Sequence, residues 1–156
     1  MRRWAALAAV ALLGLAACGE EDSQPLVKPP PPSDPGQLYG TWTARQPGGY
    51  TLRYVFRRDG TYEHSQGTRQ ERREGTYLFE IRTRGTMRVR GDTLVLRPRS
   101  GTQVRRDPAD PEGDYRRPAQ KLPQTYTWSL RGTGADARLV LSIGGGLAVR
   151  YRRDRG

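Results

Sequence analysis

The chain is poor in the residue types on which most catalytic and metal sites depend. Its 156 residues include one cysteine, Cys18, and one histidine, His64. The sequence therefore supports neither a Cys–His nor a Ser–His–acid arrangement, and it lacks the histidine and cysteine spacing of zinc sites. We expect a protein that is not an enzyme and that holds no metal or cofactor.

Lysine and helix-forming runs are also scarce. Lys28 and Lys121 are the only lysines, so arginine supplies nearly all of the formal net charge of +11. No helical period recurs after the first apolar segment, whereas the chain contains 19 glycines and 12 prolines. This balance favours strands joined by turns. The charge is typical either of a GC-rich genome or of a surface that attracts phosphates, anionic lipid head groups or acidic glycans.

Residues 1–17 have the three-part layout of an export signal. Met1–Arg3 carry positive charge, Trp4–Leu15 is apolar, and two alanines precede Cys18. The apolar stretch is shorter than the ~20 residues of a membrane-spanning helix. The segment Leu15–Cys18 resembles the lipobox of bacterial lipoproteins, in which a leucine and two small residues precede the lipidated cysteine.

The lipobox resemblance implies that residues 1–17 are removed and that Cys18 carries a diacylglycerol and an amide-linked acyl chain such as palmitate. Two or three acyl chains hold a protein stably on a membrane. We then expect a lipid-anchored, extracytoplasmic protein of the bacterial cell envelope. The outer membrane is its expected place if the cell has one, because Gly19 does not match the inner-membrane retention signal. Export also argues against nucleic acid as a partner.

Residues 18–37 are expected to form a linker between the anchor and one folded domain. Its prolines are Pro25, Pro29, Pro30, Pro31, Pro32 and Pro35. Proline fixes φ and removes the backbone donor, which excludes this segment from helix interiors and central strands. We expect an extended spacer of ~3.1 Å per residue, followed by a folded domain over residues 38–153.

Apolar residues recur with period two in this domain, which predicts strands with one buried face. Tyr50–Phe56 shows the alternation, and Arg58–Gly60 has the chemistry of a hairpin turn. Residues 74–90 are either one long strand bent at Gly85 or a hairpin. A long irregular loop is expected after Leu96. The pattern predicts about eight antiparallel strands, which can close into an all-β, up-and-down barrel, with an open sandwich as the alternative.

Four segments resemble motifs of lipocalin-like proteins. They are Gly40–Trp42, Tyr54–Tyr62, Gly91–Leu96 and Thr125–Trp128. The resemblance implies a barrel around a ligand cavity and a late arginine stacked on Trp42 at the closed end. The last strand of an up-and-down barrel ends beside the start of the first. This geometry makes Arg153 the first candidate partner of Trp42, and Arg152 the second.

Inward aromatic side chains form the first candidate site. They either line a pocket for a small hydrophobic ligand or fill the barrel as its core. The candidates for ligand binding are Tyr54, Phe56, Tyr62, Phe79, Tyr126 and Trp128. The first functional hypothesis is therefore a membrane-tethered, lipocalin-like binding module for a small hydrophobic molecule.

Arginines at even-numbered positions of residues 82–90 form the second candidate site. They alternate with the apolar residues at odd-numbered positions of the same segment. Arg82, Arg84, Arg88 and Arg90 should project outward together, with Arg97 and Arg99 nearby. Guanidinium groups suit bidentate contact with phosphate or carboxylate. This face is either simply solvated or docks on anionic lipid, lipopolysaccharide or glycan, which is the alternative function. The four carboxylates of residues 107–114 either bind calcium or pair with flanking arginines. They lack the register of a known calcium loop, so we expect pairing. The flanking arginines are Arg105, Arg106, Arg116 and Arg117.

Overall fold

The computed structural model describes residues 34–144 and 146–154. The predicted signal peptide, the lipidation site at Cys18 and the linker up to residue 33 lie outside the described residues. The described part is built from antiparallel strands and short 3₁₀ turns. The strands are β1 Gly40–Gln46, β2 Tyr50–Phe56, β3 Thr61–Arg72, β4 Gly75–Arg90, β5 Thr93–Arg106, β6 Tyr115–Pro118, β7 Gln124–Arg131, β8 Arg138–Ile143 and β9 Leu147–Arg153.

Eight of these strands close into a barrel. Each strand pairs with the next along the chain from β1 to β5; β5 then pairs with β7, β7 with β8, β8 with β9, and β9 with β1. Strand β6 pairs only with the second half of β5 and lies outside the closed ring. The predicted all-β antiparallel barrel of eight strands is confirmed, and the β1–β9 pairing that closes the ring is its shortest, at two residue pairs.

Residues 75–90 form one strand rather than a hairpin. Strand β4 pairs with β3 up to Thr86 and with β5 from Leu78 onward, and the β4–β5 register shifts between Arg84 and Gly85. Arg99 is the extra residue on β5. A Cβ atom at Gly85 would overlap the carbonyl group of Arg97, so this close approach requires glycine.

The long irregular loop predicted after Leu96 is wrong for much of its length. Strand β5 continues to Arg106, and β6 adds Tyr115–Pro118 to its edge. The bulge at Arg99 reverses the side-chain parity of β5, and most side chains beyond it are polar. No apolar row therefore marks this part of the strand in the sequence, and its pairing with β4 is what makes it regular.

The closed end of the barrel is the end at which β1 begins. The 3₁₀ turn Pro35–Leu38 covers it, and both Leu38 and Trp42 are fully buried. Trp42 Nε1 donates to the Leu38 carbonyl oxygen at 2.7 Å. The Arg153 guanidinium carbon lies 4.4 Å from the centroid of the Trp42 ring. Trp42 and Arg153 are paired in the β1–β9 register, as the up-and-down order predicts.

Candidate functional site

The barrel interior is filled by the aromatic side chains that were candidates for ligand binding. Tyr54, Phe56, Tyr62 and Trp128 are each at most 2% exposed, and Tyr126 is 8% exposed. The polar atoms of three of them are hydrogen-bonded. The Tyr54 and Tyr126 hydroxyl groups lie 3.1 Å apart, Tyr126 Oη donates to Gln124 Oε1 at 2.9 Å, and Trp128 Nε1 donates to the Gly91 carbonyl oxygen at 3.0 Å.

Phe79, the sixth candidate for ligand binding, is not part of this buried group. It is only half-buried because it lies in the first half of β4, opposite Thr68 and Arg105, beyond the packed core. Five clefts of the described chain have volumes from about 210 to 880 Å³, and none of the five is lined by Tyr54, Phe56, Tyr62, Tyr126 or Trp128. In this structure, those five aromatic side chains form a core.

His64 carries the one buried side-chain nitrogen or oxygen atom of the described residues that has no hydrogen-bond partner. Its ring stacks on Tyr54 with 4.2 Å between centroids, and its Nε2 atom is buried. Burial lowers the pKa of His64 to about 4, so the ring is neutral at neutral pH. Burial also raises the pKa of the neighbouring Tyr54 hydroxyl, with Tyr126 and Tyr151 adding to that shift.

The predicted arginine face exists, but its members differ in their partners. Arg82, Arg84, Arg88 and Arg90 are all exposed on β4. Arg82 Nε lies 2.8 Å from Glu80 Oε1, and Arg84 Nε lies 3.4 Å from Glu63 Oε1. Within the described ranges, Arg88 and Arg90 have no carboxylate partner.

Arg97 and Arg99 of β5 complete a group of four unpaired arginines, which we call the β4–β5 arginine face. They are exposed and likewise have no carboxylate partner among the described residues. A cleft of about 450 Å³ is lined by Arg88, Arg90, Arg97 and Arg99 together with Thr86, Met87, Thr93 and Val95. The floor between the cations is therefore uncharged. Four guanidinium groups around one cleft, without a carboxylate partner in the described part of the chain, form a local anion-attracting site.

A second arginine cluster lies across the barrel and was not among the predicted sites. Its cleft of about 880 Å³ lies where β1 meets β9 and is lined in part by Arg45, Arg138, Arg150 and Arg152. In the sequence, Arg138, Arg150 and Arg152 alternate with apolar residues, which is typical of side chains that face outward. Only the closure of the ring brings β8 and β9 beside Arg45 of β1.

The acidic loop after β5 is tied into the fold by arginines. Asp107 is nearly buried; its Oδ2 lies 3.1 Å from Arg105 Nη2 and its Oδ1 lies 3.3 Å from Arg72 Nη1. Arg105 Nη2 also lies 2.9 Å from Asp110 Oδ2. Arg105 is one of the predicted flanking arginines, whereas Arg72 is the last residue of β3. The part of the chain that the structure covers contains no cluster of three or more possible metal-ligating side chains.

These features define a class: a small closed antiparallel barrel with a packed aromatic core and an arginine-rich outer surface. No helix of the described residues is both long and apolar enough to span a bilayer. Comparison with protein-family models, curated proteins and solved structures finds no match to this chain.

Proposed function

We propose that this protein is a non-catalytic envelope lipoprotein whose barrel docks, through the β4–β5 arginine face, on the phosphate head groups of anionic lipids. The observation that carries the proposal is the group of four exposed arginines around one cleft, none of which has a carboxylate partner among the residues that the structure describes. The proposed lipid anchor at Cys18 supports it, because an anchor alone leaves the domain free to move. A basic patch would then hold the domain against the same membrane.

The position of the β4–β5 arginine face on the barrel also supports docking on the membrane that holds the proposed anchor. Arg88 and Arg90 end β4, and Arg97 lies near the start of β5. The β4–β5 turn is at the same end of the barrel as the start of β1, where the chain enters from Asp34. A domain tethered from this end presents the patch on the side nearest its tether.

A small hydrophobic ligand inside the barrel receives less support from the geometry. A ligand there would have to displace Tyr54, Trp128 and their buried neighbours, which already fill the interior. An eight-stranded barrel is just wide enough for its own side chains or one small ligand. We therefore rank surface docking above the lipocalin-like binding hypothesis.

Vesicle binding tests the docking proposal. For the chain from residue 18 onward, made without lipid, Arg88→Gln plus Arg97→Gln is expected to weaken binding to vesicles rich in anionic phospholipid. Each arginine near such a surface contributes about 1 kcal/mol, so the pair should lower the partition coefficient about 30-fold at low salt. Sedimentation with vesicles measures this coefficient, and binding of the unsubstituted chain should weaken as salt is added.

The matched control is Arg73→Gln plus Arg131→Gln, which removes the same charge from exposed arginines outside the face. We expect it to retain most of the binding. Equal losses in the two double variants would show that only net charge matters and would overturn the docking face. Binding to neutral vesicles as strong as to anionic ones would also overturn it.

Anchoring is tested separately in cells. Cys18→Ser is expected to abolish incorporation of labelled palmitate, because serine offers no thiol for the thioether that joins the lipid. The protein should then leave the membrane fraction in a high-salt wash, while the unsubstituted chain stays with the membrane. A Cys18→Ser chain that still incorporates palmitate would contradict the lipobox interpretation.

A further inference from the structure

The barrel is closed by an incomplete seam between its first and last strands. Strands β1 and β9 pair only at Trp42–Arg153 and Thr43–Arg152, and the Asp154 amide donates to the Thr41 carbonyl oxygen at 2.9 Å. Both strands continue beyond this point, β1 to Gln46 and β9 back to Leu147. Their other edges are paired along their length, with β2 and β8 respectively.

The backbone groups that face the seam follow from the alternation of an antiparallel strand. The Asp154 amide points to β1, so the amides of Arg152, Arg150 and Ala148 point the same way. By the same alternation the amide and carbonyl of Arg45 point toward β9. The β1–β9 pairing ends at Thr43–Arg152, so Arg45, Ala148 and Arg150 present unpaired strand edges to the seam.

Cations surround this opening. Arg45, Arg150 and Arg152 are exposed and have no carboxylate partner among residues 34–144 and 146–154. Arg138 joins the lining and donates to the carbonyl oxygens of Asp136 and Ala137. The one carboxylate of the cleft, Asp154, accepts from Thr43 Oγ1 at 2.9 Å and lies 3.6 Å from Arg53 Nε.

We propose that this seam binds an extended, acidic segment of a partner protein, which adds to the sheet as a strand between β1 and β9. Main-chain hydrogen bonds to the free edges supply affinity, and side-chain alternation supplies specificity. Outward side chains of the added strand meet the arginines and are acidic. Inward ones meet the buried Ala44 and are small and apolar.

The seam and the β4–β5 arginine face are separate sites. The seam joins the two ends of the ring order, and β4 and β5 are the strands farthest from it along that order. A barrel that rests on a membrane through β4 and β5 therefore turns its seam away from the bilayer. The seam proposal does not depend on the docking proposal.

The test uses a fluorescent nine-residue peptide in which glutamate alternates with valine, with a peptide of the same composition in scrambled order as control. We expect the alternating peptide to bind more tightly to the chain from residue 18 onward, by anisotropy. Arg45→Gln plus Arg150→Gln should weaken binding at least 10-fold, because two charge-assisted contacts are lost. The Arg73→Gln plus Arg131→Gln variant should bind like the unsubstituted chain.

A backbone variant separates strand addition from simple charge attraction. Ala148→Pro removes one seam-facing amide and no charge, and it is expected to weaken the alternating peptide while thermal unfolding stays cooperative. Hydrogen exchange should show new protection at the amides of Arg45 and Arg150 on binding. Equal affinity for the scrambled peptide without such protection would overturn the proposal. No peptide binding at all would show that the arginines only guard a strand edge.

Discussion

Trp42→Ala is expected to lower the free energy of unfolding by about 4 kcal/mol, the usual cost of emptying a large aromatic site. Trp42 is fully buried, and its indole nitrogen donates to the Leu38 carbonyl oxygen. Arg153 stacks on the ring and donates to the carbonyl oxygens of Tyr39 and Gln37. Removing the indole therefore opens a cavity and releases the turn that covers this end of the barrel. Urea denaturation followed by tryptophan fluorescence and far-ultraviolet circular dichroism measures the change.

Arg153→Ala is the second arm of this experiment, with Arg152→Ala as its matched control. We expect Arg153→Ala to cost about 2 kcal/mol, from the lost stacking and from two carbonyl groups that lose their donor. Arg152 is the neighbouring residue on β9, faces the opposite side of the sheet and is exposed, so its loss should cost about 0.5 kcal/mol or less. Equal costs for the two arginines would contradict the stacked arrangement. A double-mutant cycle with Trp42→Phe would measure the coupling directly.

Lowering the pH from 7.5 to 5 is expected to reduce the free energy of unfolding by about 2 kcal/mol through His64 alone. In the folded chain the pKa of His64 is lowered to about 4 by burial, below the ordinary value of 6.5. The unfolded chain therefore takes up this proton first. The contribution of His64 is complete above pH 6.5, is lost as the pH falls, and changes no further below about 4.

His64→Phe should remove this dependence between pH 4.5 and 6.5, because phenylalanine retains the stacking surface against Tyr54 and cannot be protonated. The measurement is urea denaturation at a series of pH values. Asp59 and Glu63 also have lowered pKa values, because hydrogen bonds from Thr61 and Arg57 stabilise their ionised forms. The contributions of Asp59 and Glu63 to stability are lost as the pH falls through and below their ordinary pKa values of 3.8 and 4.5. The slope between pH 5 and 6.5 therefore reports His64. An unchanged slope in His64→Phe would contradict a neutral buried imidazole.

Part of the fold could be predicted because side-chain alternation reports burial directly. The rows of Tyr54 and Phe56 on β2, and of Tyr126 and Trp128 on β7, face the core as the period-two pattern predicts. The lipocalin resemblance and the strand order predicted a late arginine beside Trp42, and the side-chain alternation of the last strand made Arg153 the first candidate and Arg152 the second. The second half of β5 was not predictable in this way, because polar side chains there show no buried face and only the partner strand β4 makes it regular.

The candidate sites were also predictable only in part. The alternation of side chains along the strand places Arg82, Arg84, Arg88 and Arg90 outside the barrel. It does not show which of them form ion pairs with carboxylates. Arg84 meets Glu63 only because β3 and β4 pair in one particular register. Arg45 meets Arg150 and Arg152 only because the ring closes between the first strand and the last.

What the sequence by itself determined is the class of strand-built domain, the inward set of aromatic residues except Phe79, and the outward set of arginines. These follow from local alternation, because each strand buries one face whatever its neighbours are. Only the tertiary structure decided that the aromatic interior is filled, which arginines lack a carboxylate partner within residues 34–144 and 146–154, and where the ring is incompletely paired. Packing density, ion pairing and ring closure depend on distances between residues far apart in the chain, and no local pattern encodes those distances.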